Sequence, residues 1–428
     1  MSDPIEGPVM RPFIFLTVDS LRADCANPDL LGESLSVLKR DYAKFTNAIS
    51  YGVATPFAFP GIIAGTHPVD NGIIPSEATT IAEGIPGPSA AFTNNGHLRA
   101  ERGYKRGFDR FEESPSMSTE ENEDRSLHHR IIERIKQIET LQKSKTANLV
   151  YSRLFSNPLP TPTCPAPDMA QIVREELRES PEGVCWGHWM DPHTPYHPET
   201  AIDPPQNLPT YDELEDLDDR IVSADADDLT ADEIELAQLL YEANVRYFDH
   251  HFSDLLNWLA DQPWYDDAFI IVVSDHGEFF GEHGYMFHTW DIDPHNEAIE
   301  TPLWVKFPDG ADSGKTFDHL VGHGDILATL DNLFDETTID PPAHTASLRD
   351  EYGRHVVSVS NTAKRLTEPD GVFFKRRDGS ENRRGSISRD GQAFLEQVPF
   401  PECVNSNGEA LGVEDAQRQR RLKQLGYR

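Results

Sequence analysis

The chain has 428 residues, enough to bury a large core in one big α/β unit with an appendage. Its 38 lysines and arginines stand against 73 aspartates and glutamates, a formal charge of −35, which excludes a surface built for nucleic-acid phosphates. The acidic residues run along the whole chain and the basic ones are more often Arg than Lys, so the composition predicts a protein soluble in concentrated salt and housed in a halophilic cytosol.

At the N-terminus, residues 1–12 (MSDPIEGPVMRP) lack a basic segment followed by an apolar run, and no stretch anywhere approaches ~18 apolar residues. A cytoplasmic protein with no membrane span is expected. Residues 13–18 (FIFLTV) form a short continuous apolar run that ends at Asp19, the pattern of a strand buried on both faces of a parallel sheet. Residues 51–67 (YGVATPFAFPGIIAGTH) place Thr55 before Pro56 and continue as a small apolar helix packed under a sheet. Residues 112–125 and 198–232 are polar, Pro-rich or acidic and read as surface loops, while residues 130–141 and 234–259 have helical spacing.

A second buried strand is expected at residues 268–273 (AFIIVV), ending at Ser274-Asp275-His276-Gly277. Two strand ends therefore present Asp19 and Asp275, and open α/β sheets place ligands at the carboxyl ends of their strands. Beyond residue 349 the character changes: residues 355–360 and 371–376 read as antiparallel strands, and residues 414–428 as a charged terminal helix. The expected division is a catalytic α/β domain over 1–345 and a small C-terminal subdomain over 346–428. Cys25, Cys164, Cys185 and Cys403 have no CxxC spacing, which argues against a zinc knuckle or redox motif.

A hard divalent cation takes oxygen and nitrogen ligands from rigid elements, and Asp19, Asp275 and His276 supply three. Locally, Asp19 reads equally well as a helix N-cap, and Thr55 reads more readily as a cap than as a nucleophile. His193 and His197 lie in a proline-braced segment (WMDPHTPYH), and His283 and His288 follow Gly281-Glu282. Imidazoles titrate near neutrality, so they can protonate a leaving oxygen or hold an anionic one.

In chain order, FLTVDSLRAD, TPFAFPGIIAGTHP, GFDRF, WMDPHTPYHP, VVSDHGEFFGEHG, TPLWVKFP and HGDILATLDNLFD resemble the motifs of the sulfatase family, within the alkaline phosphatase superfamily, in a haloarchaeal-type form. The resemblance covers most of residues 10–335. It implies an α/β sandwich with a mixed, mostly parallel central sheet and a small C-terminal antiparallel sheet. It also implies one divalent metal ion (Ca²⁺, Mg²⁺ or Mn²⁺) held by Asp19, Asp275 and His276 with Thr55. Thr55 falls at the nucleophile position, and His193, His283 and His288 fall near the substrate's oxygens or leaving group. The implied substrate is a small-molecule or carbohydrate sulfate or phosphate ester.

This chain departs from the family pattern in three places. Thr55 stands where most sulfatases carry the Cys or Ser that becomes formylglycine, Phe59 replaces that motif's arginine, and Ser20 replaces a second acidic residue. A metal-activated threonine remains a sufficient nucleophile. Two alternatives stay open: a phosphodiesterase or phosphoglycerol-type transferase, and a catalytically silent anion- or carbohydrate-binding relative.

Overall fold

The computed structural model describes residues 11–70, 72–115, 164–222, 226–335, 337–351 and 354–401. In chain order these form β1 (Pro12–Val18), α1 (Ser34–Asp41), β2 (Ala43–Ile49), α2 (Thr55–Ala64), β3 (Ser89–Phe92), β4 (Arg110–Glu112), α3 (Ala166–Glu179), β5 (Gly183–Trp189), α4 (Tyr211–Ile221) and α5 (Ala231–Ala260). Then come β6 (Phe269–Ser274), β7 (Glu300–Lys306), β8 (Thr316–Gly322), α6 (Asp325–Leu333), β9 (Val356–Val359), β10 (Ala363–Glu368), β11 (Gly371–Arg376), β12 (Glu381–Gly385) and α7 (Arg389–Gln397), with shorter helical turns between some of them.

The strands build an eight-stranded sheet of order β4-β3-β5-β1-β6-β7-β2-β8 and a four-stranded sheet of order β12-β11-β10-β9. In the large sheet only β7 runs against its neighbours, β6 and β2; the other pairings are parallel. The small sheet is antiparallel throughout. This is the α/β architecture expected from the sequence.

Strand alternation explains why β1 is apolar on both faces except at Thr17. Ile14, Leu16 and Val18 enter one core with Leu35 of α1, Val173 of α3 and Phe252 of α5, while Phe13 and Phe15 enter the other with Ile62 of α2 and Leu327 of α6. Each such side chain contributes about 1.5–3 kcal/mol on burial. β6 divides in the same way, Ile270 and Val272 on one face and Phe269, Ile271 and Val273 on the other. The centre of the sheet is thereby a rigid platform between helices.

α5 starts three residues before the expected 234–259 helix because Thr230 and Glu233 form a reciprocal capping box. The expected loop at 198–232 is corrected: it contains α4, which Thr210 and Glu213 cap and which buries Leu214, Leu217 and Ile221. That i, i+3, i+7 stripe outweighs the acidic residues around it. The expected helices at 130–141 and 414–428, and residues 116–125 of the other expected loop, lie outside the described residues.

A third core joins Ile49, Tyr51 and Phe57 to Val357, Val359, Leu366 and Leu395, so the small sheet packs against the segment leading into α2. Backbone bonds from Val359 to Tyr51 (2.9 Å) and from Val53 to Val359 (3.3 Å) hold that segment in place. Among the described residues no helix is long and apolar enough to cross a membrane. Cys25, Cys164 and Cys185 are buried free thiols.

Candidate metal centre

β1 and β6 are neighbours in register, Val18 opposite Ser274, so the chain delivers Asp19 and Asp275 side by side. Both are fully buried. The Asp19 amide donates to the Trp189 carbonyl (2.9 Å) and the Asp275 amide to Val18 (3.2 Å). Ser20, at φ 58°, turns its amide onto Asp275 Oδ1 (3.2 Å) and its hydroxyl onto Asp19 Oδ1 (2.8 Å). Gly277 follows His276 under an equally tight constraint, since a Cβ there would lie 2.0 Å from the Glu297 carbonyl.

Neither Asp19 nor Thr55 is a helix cap. The helical turn after β1 begins at Ala23 with Arg22 in the cap position and no side-chain cap bond. Thr55 is the first residue of α2, behind Ala54 in the cap position, again with no side-chain cap bond. The Thr55 hydroxyl instead lies 3.3 Å from Asp19 Oδ2 and 3.3 Å from His276 Nε2. It is buried at the N-terminus of a ten-residue helix, where the helix dipole favours negative charge.

His276 Nδ1 donates to the Gly277 carbonyl (2.8 Å), which leaves Nε2 with a lone pair in the neutral ring. That nitrogen sits 3.6 Å from Asp19 Oδ1 and 3.4 Å from Asp275 Oδ2. Asp275 Oδ2 is buried without a hydrogen-bond partner. Ligand atoms of Asp19, Asp275 and His276 all lie within 4.8 Å of one another, a donor set that suits a divalent cation.

The electrostatics agree. Burial, then the charge of Asp19, pushes the Asp275 carboxyl well above the usual range. Burial acts the same way on Asp19, but His193, a hydrogen bond from His188 and His276 together outweigh it and hold Asp19 well below that range. Two adjacent buried carboxyls thus share one proton unless a cation joins them.

His193 and His288 complete the cluster: with Asp19 they form a second group of ligand atoms within 4.8 Å of one another. Their rings lie 4.9 Å apart, and His288 is 4.2 Å from the His276 ring. His288 Nδ1 pairs with Glu278 Oε2 (2.9 Å), and the Tyr196 hydroxyl donates to the same oxygen (3.2 Å). Burial raises the Glu278 carboxyl to about 7, partly offset by His193 and His276. Burial, then His276 and His193, press the His288 imidazole well below its ordinary value.

His283 is not part of this cluster. Its side chain is 42% exposed, pairs with Glu297 (3.2 Å) and stacks on His295 at 3.8 Å.

Two site residues escape the sequence reading. Asn95, beyond the end of β3, donates from Nδ2 to Asp19 Oδ2 (2.6 Å) and to Thr55 Oγ1 (3.2 Å), while its Oδ1 accepts from the His97 amide (2.8 Å). His188, on β5, places Nε2 3.3 Å from Asp19 Oδ2 and Nδ1 2.9 Å from the Thr17 hydroxyl. Asn95 had a signal, since it follows a third short apolar run (SAAF) as the aspartates follow theirs. His188, inside a wholly buried strand, reads as an ordinary core histidine.

An eight-stranded mixed sheet with this cluster at its strand ends defines an α/β protein with a candidate cation centre. The family model described as sulfatase matches residues 12–336, and the chain belongs to that family. Its fold is similar to that of a phosphonate monoester hydrolase from Silicibacter pomeroyi, at 16% identity and a TM-score of 0.57 over 97% of this chain and 95% of that one. A protein of the alkaline phosphatase superfamily from Vibrio parahaemolyticus superposes with a TM-score of 0.58 at 13% identity, over 96% of this chain and 88% of the other. The choline-sulfatase of Rhizobium meliloti is 33% identical over 60 residues, which are 14% of this chain. That stretch spans only 12% of the relative's length.

Proposed function

We propose that the chain is a metal-dependent hydrolase of sulfuric or phosphoric esters of small molecules or carbohydrates, with Thr55 as its nucleophile. The observation that carries this reading is the Thr55 hydroxyl, buried at a helix N-terminus and 3.3 Å from both Asp19 Oδ2 and His276 Nε2.

Asp19, Asp275, His276 and the Thr55 hydroxyl are the residues that would hold one divalent ion, and Ca²⁺, Mg²⁺ and Mn²⁺ suit the donor set. Bound there, the ion supplies charge neutralisation and lowers the pKa of a hydroxyl. The Thr55 hydroxyl donates to Asp19 Oδ2, which orients it, and Asn95 Nδ2 donates to Thr55 Oγ1, steadying the oxygen as it becomes anionic. That oxygen attacks the sulfur or phosphorus in line, the bond to the leaving alcohol breaks, and the proton given up by Thr55 is balanced by the one the product alcohol takes up. His193 and His288, which lie beside Asp19, are the imidazoles available to the non-bridging and leaving oxygens. Water then cleaves the Thr55 ester and restores the hydroxyl.

A phosphorus ester is favoured by two features. Thr55 cannot become formylglycine, and Phe59, whose ring packs 5.6 Å from Trp186 and 5.0 Å from His188, offers no guanidinium. Matched aryl sulfate, phosphate diester and phosphonate monoester substrates at high salt decide between the ester classes. On whichever of these the parent turns over, Thr55→Ala is expected to lose activity by at least ~10³-fold with an unchanged circular-dichroism spectrum. Retention of the parent rate would remove Thr55 from the reaction.

A further inference from the structure

The large sheet carries one polar line that the proposed reaction leaves unexplained. Thr17 is the only polar side chain of β1, and it lies opposite His188 in the parallel register of β1 with β5. Trp186, two residues before His188, faces the same side of that strand. All three are fully buried, and so is Asp19 at the end of the line. Phe59 of α2 packs over it, its ring 5.0 Å from the His188 ring at 90° and 5.6 Å from the Trp186 ring.

The hydrogen bonds run in one direction. The Trp186 indole can only donate, and its Nε1 gives its hydrogen to Thr17 Oγ1 (2.9 Å). At the other end the Asp19 carboxylate only accepts, so His188 Nε2, 3.3 Å from Asp19 Oδ2, carries a hydrogen. Between them Thr17 Oγ1 lies 2.9 Å from His188 Nδ1 and 3.3 Å from the Gly187 carbonyl, so its own hydrogen goes to the nearer nitrogen. Trp186, Thr17 and His188 thus each donate to the next, and the last acceptor is Asp19. Burying polar groups is costly even when they are paired, and packing alone would be served by apolar residues here. What the line adds is a fixed donor at Asp19 Oδ2, the oxygen that also accepts from Asn95 (2.6 Å) and Thr55 (3.3 Å).

We propose that His188 is a positioning residue of the site: its Nε2–H holds the Asp19 carboxylate in the orientation that serves the cation and Thr55, while Thr17 and Trp186 hold the imidazole in the tautomer that can do so. His188 acts through Asp19 and needs no contact with the ester. The inference rests on the proposed cation centre but not on the identity of its nucleophile.

The test compares full-length parent protein, stripped with chelator, with His188→Leu, His188→Gln and Thr17→Val. In metal-free protein carrying ¹⁵N-labelled histidine, the resonances lost in His188→Gln identify His188 and are expected to report a ring protonated on Nε2; a ring protonated on Nδ1 alone overturns the proposal. Equilibrium dialysis with Mn²⁺ at high salt is expected to give ~10- to 100-fold lower affinity for His188→Leu, which fills the space without a donor. His188→Gln, whose amide offers a donor, should recover most of that loss, and Thr17→Val, which releases the ring without removing it, should fall between. On the best ester of the panel at saturating Mn²⁺, kcat should follow the same order with KM little changed. A role in packing alone would shift the melting temperature and leave Mn²⁺ affinity at the parent value. Parent affinity in a folded His188→Leu, or equal losses in the Leu and Gln variants, therefore overturns the proposal. If His188→Leu does not fold, Thr17→Val decides, and parent affinity there overturns it. The expected order of Mn²⁺ affinities with an active Thr55→Ala would keep the positioning role and discard the reaction. An inactive Thr55→Ala with no such order would do the reverse.

Discussion

Thr55 and Asp19 are each marked out by what they do not do. A threonine at the start of a helix ordinarily accepts a backbone hydrogen bond, and an aspartate at the end of a strand ordinarily caps the next helix. Here the cap position belongs to Ala54, and Thr55 turns its hydroxyl to Asp19 and His276 instead. Asn95 is the residue whose side chain touches both groups, and its Oδ1 is pinned by the His97 amide, so its Nδ2 has a fixed direction. Asn95→Ala is therefore expected to lower kcat by ~10²-fold with little change in KM, because the lost donor acts on Thr55 and not on the bound ester. Steady-state kinetics on the best substrate of the ester panel checks this, and a change confined to KM would contradict it. The aspartates were legible because each closes an uninterrupted apolar run. His188 was not, because a histidine between Gly187 and Trp189 in a buried strand carries no mark distinguishing it from packing.

At the scale of elements, the site depends on the parallel register of β1 with β6 and on the loop that carries the chain from β2 into α2. The small sheet braces that loop: His67 donates to the Val357 carbonyl (3.0 Å) and stacks on Tyr51 at 4.2 Å. Burial, reinforced by His344, lowers the His67 imidazole to about 3. The unfolded chain takes up a proton there below about pH 6.5, whereas the folded chain does so only near pH 3. The contribution of His67 to stability is thus fully present above that unfolded value and lost as pH falls toward 3, on the order of 5 kcal/mol over the window. His67→Gln keeps a donor without the titration, so its acid-unfolding profile should be shallower than the parent's over this range. Identical profiles would show that the acid limb comes from elsewhere. Strand and helix periodicity exposed β1, β6 and α5 in the sequence. It concealed α4, whose stripe of Leu214, Leu217 and Ile221 is diluted by Asp and Glu at nearly every intervening position.

For the whole molecule the dominant quantity is a formal charge of −35 on 428 residues. Self-repulsion of that size opposes the compact state, and added salt shortens its reach from ~10 Å at 0.1 M to ~3 Å at 1 M. The melting temperature is expected to rise steeply with KCl up to ~1 M and then level off; a flat dependence would contradict the halophilic reading of the composition. On the proposed function the same charge makes the cluster at the sheet's strand ends more demanding, since an anionic ester would have to approach an acidic protein. The central claim, that Thr55 carries the transferred group, is tested most directly by acid-quenching the protein during turnover and mapping its peptides by mass spectrometry. The account predicts one sulfo or phosphoryl group on the peptide containing Thr55, and on Thr55 itself. Turnover with the adduct on another residue would contradict it.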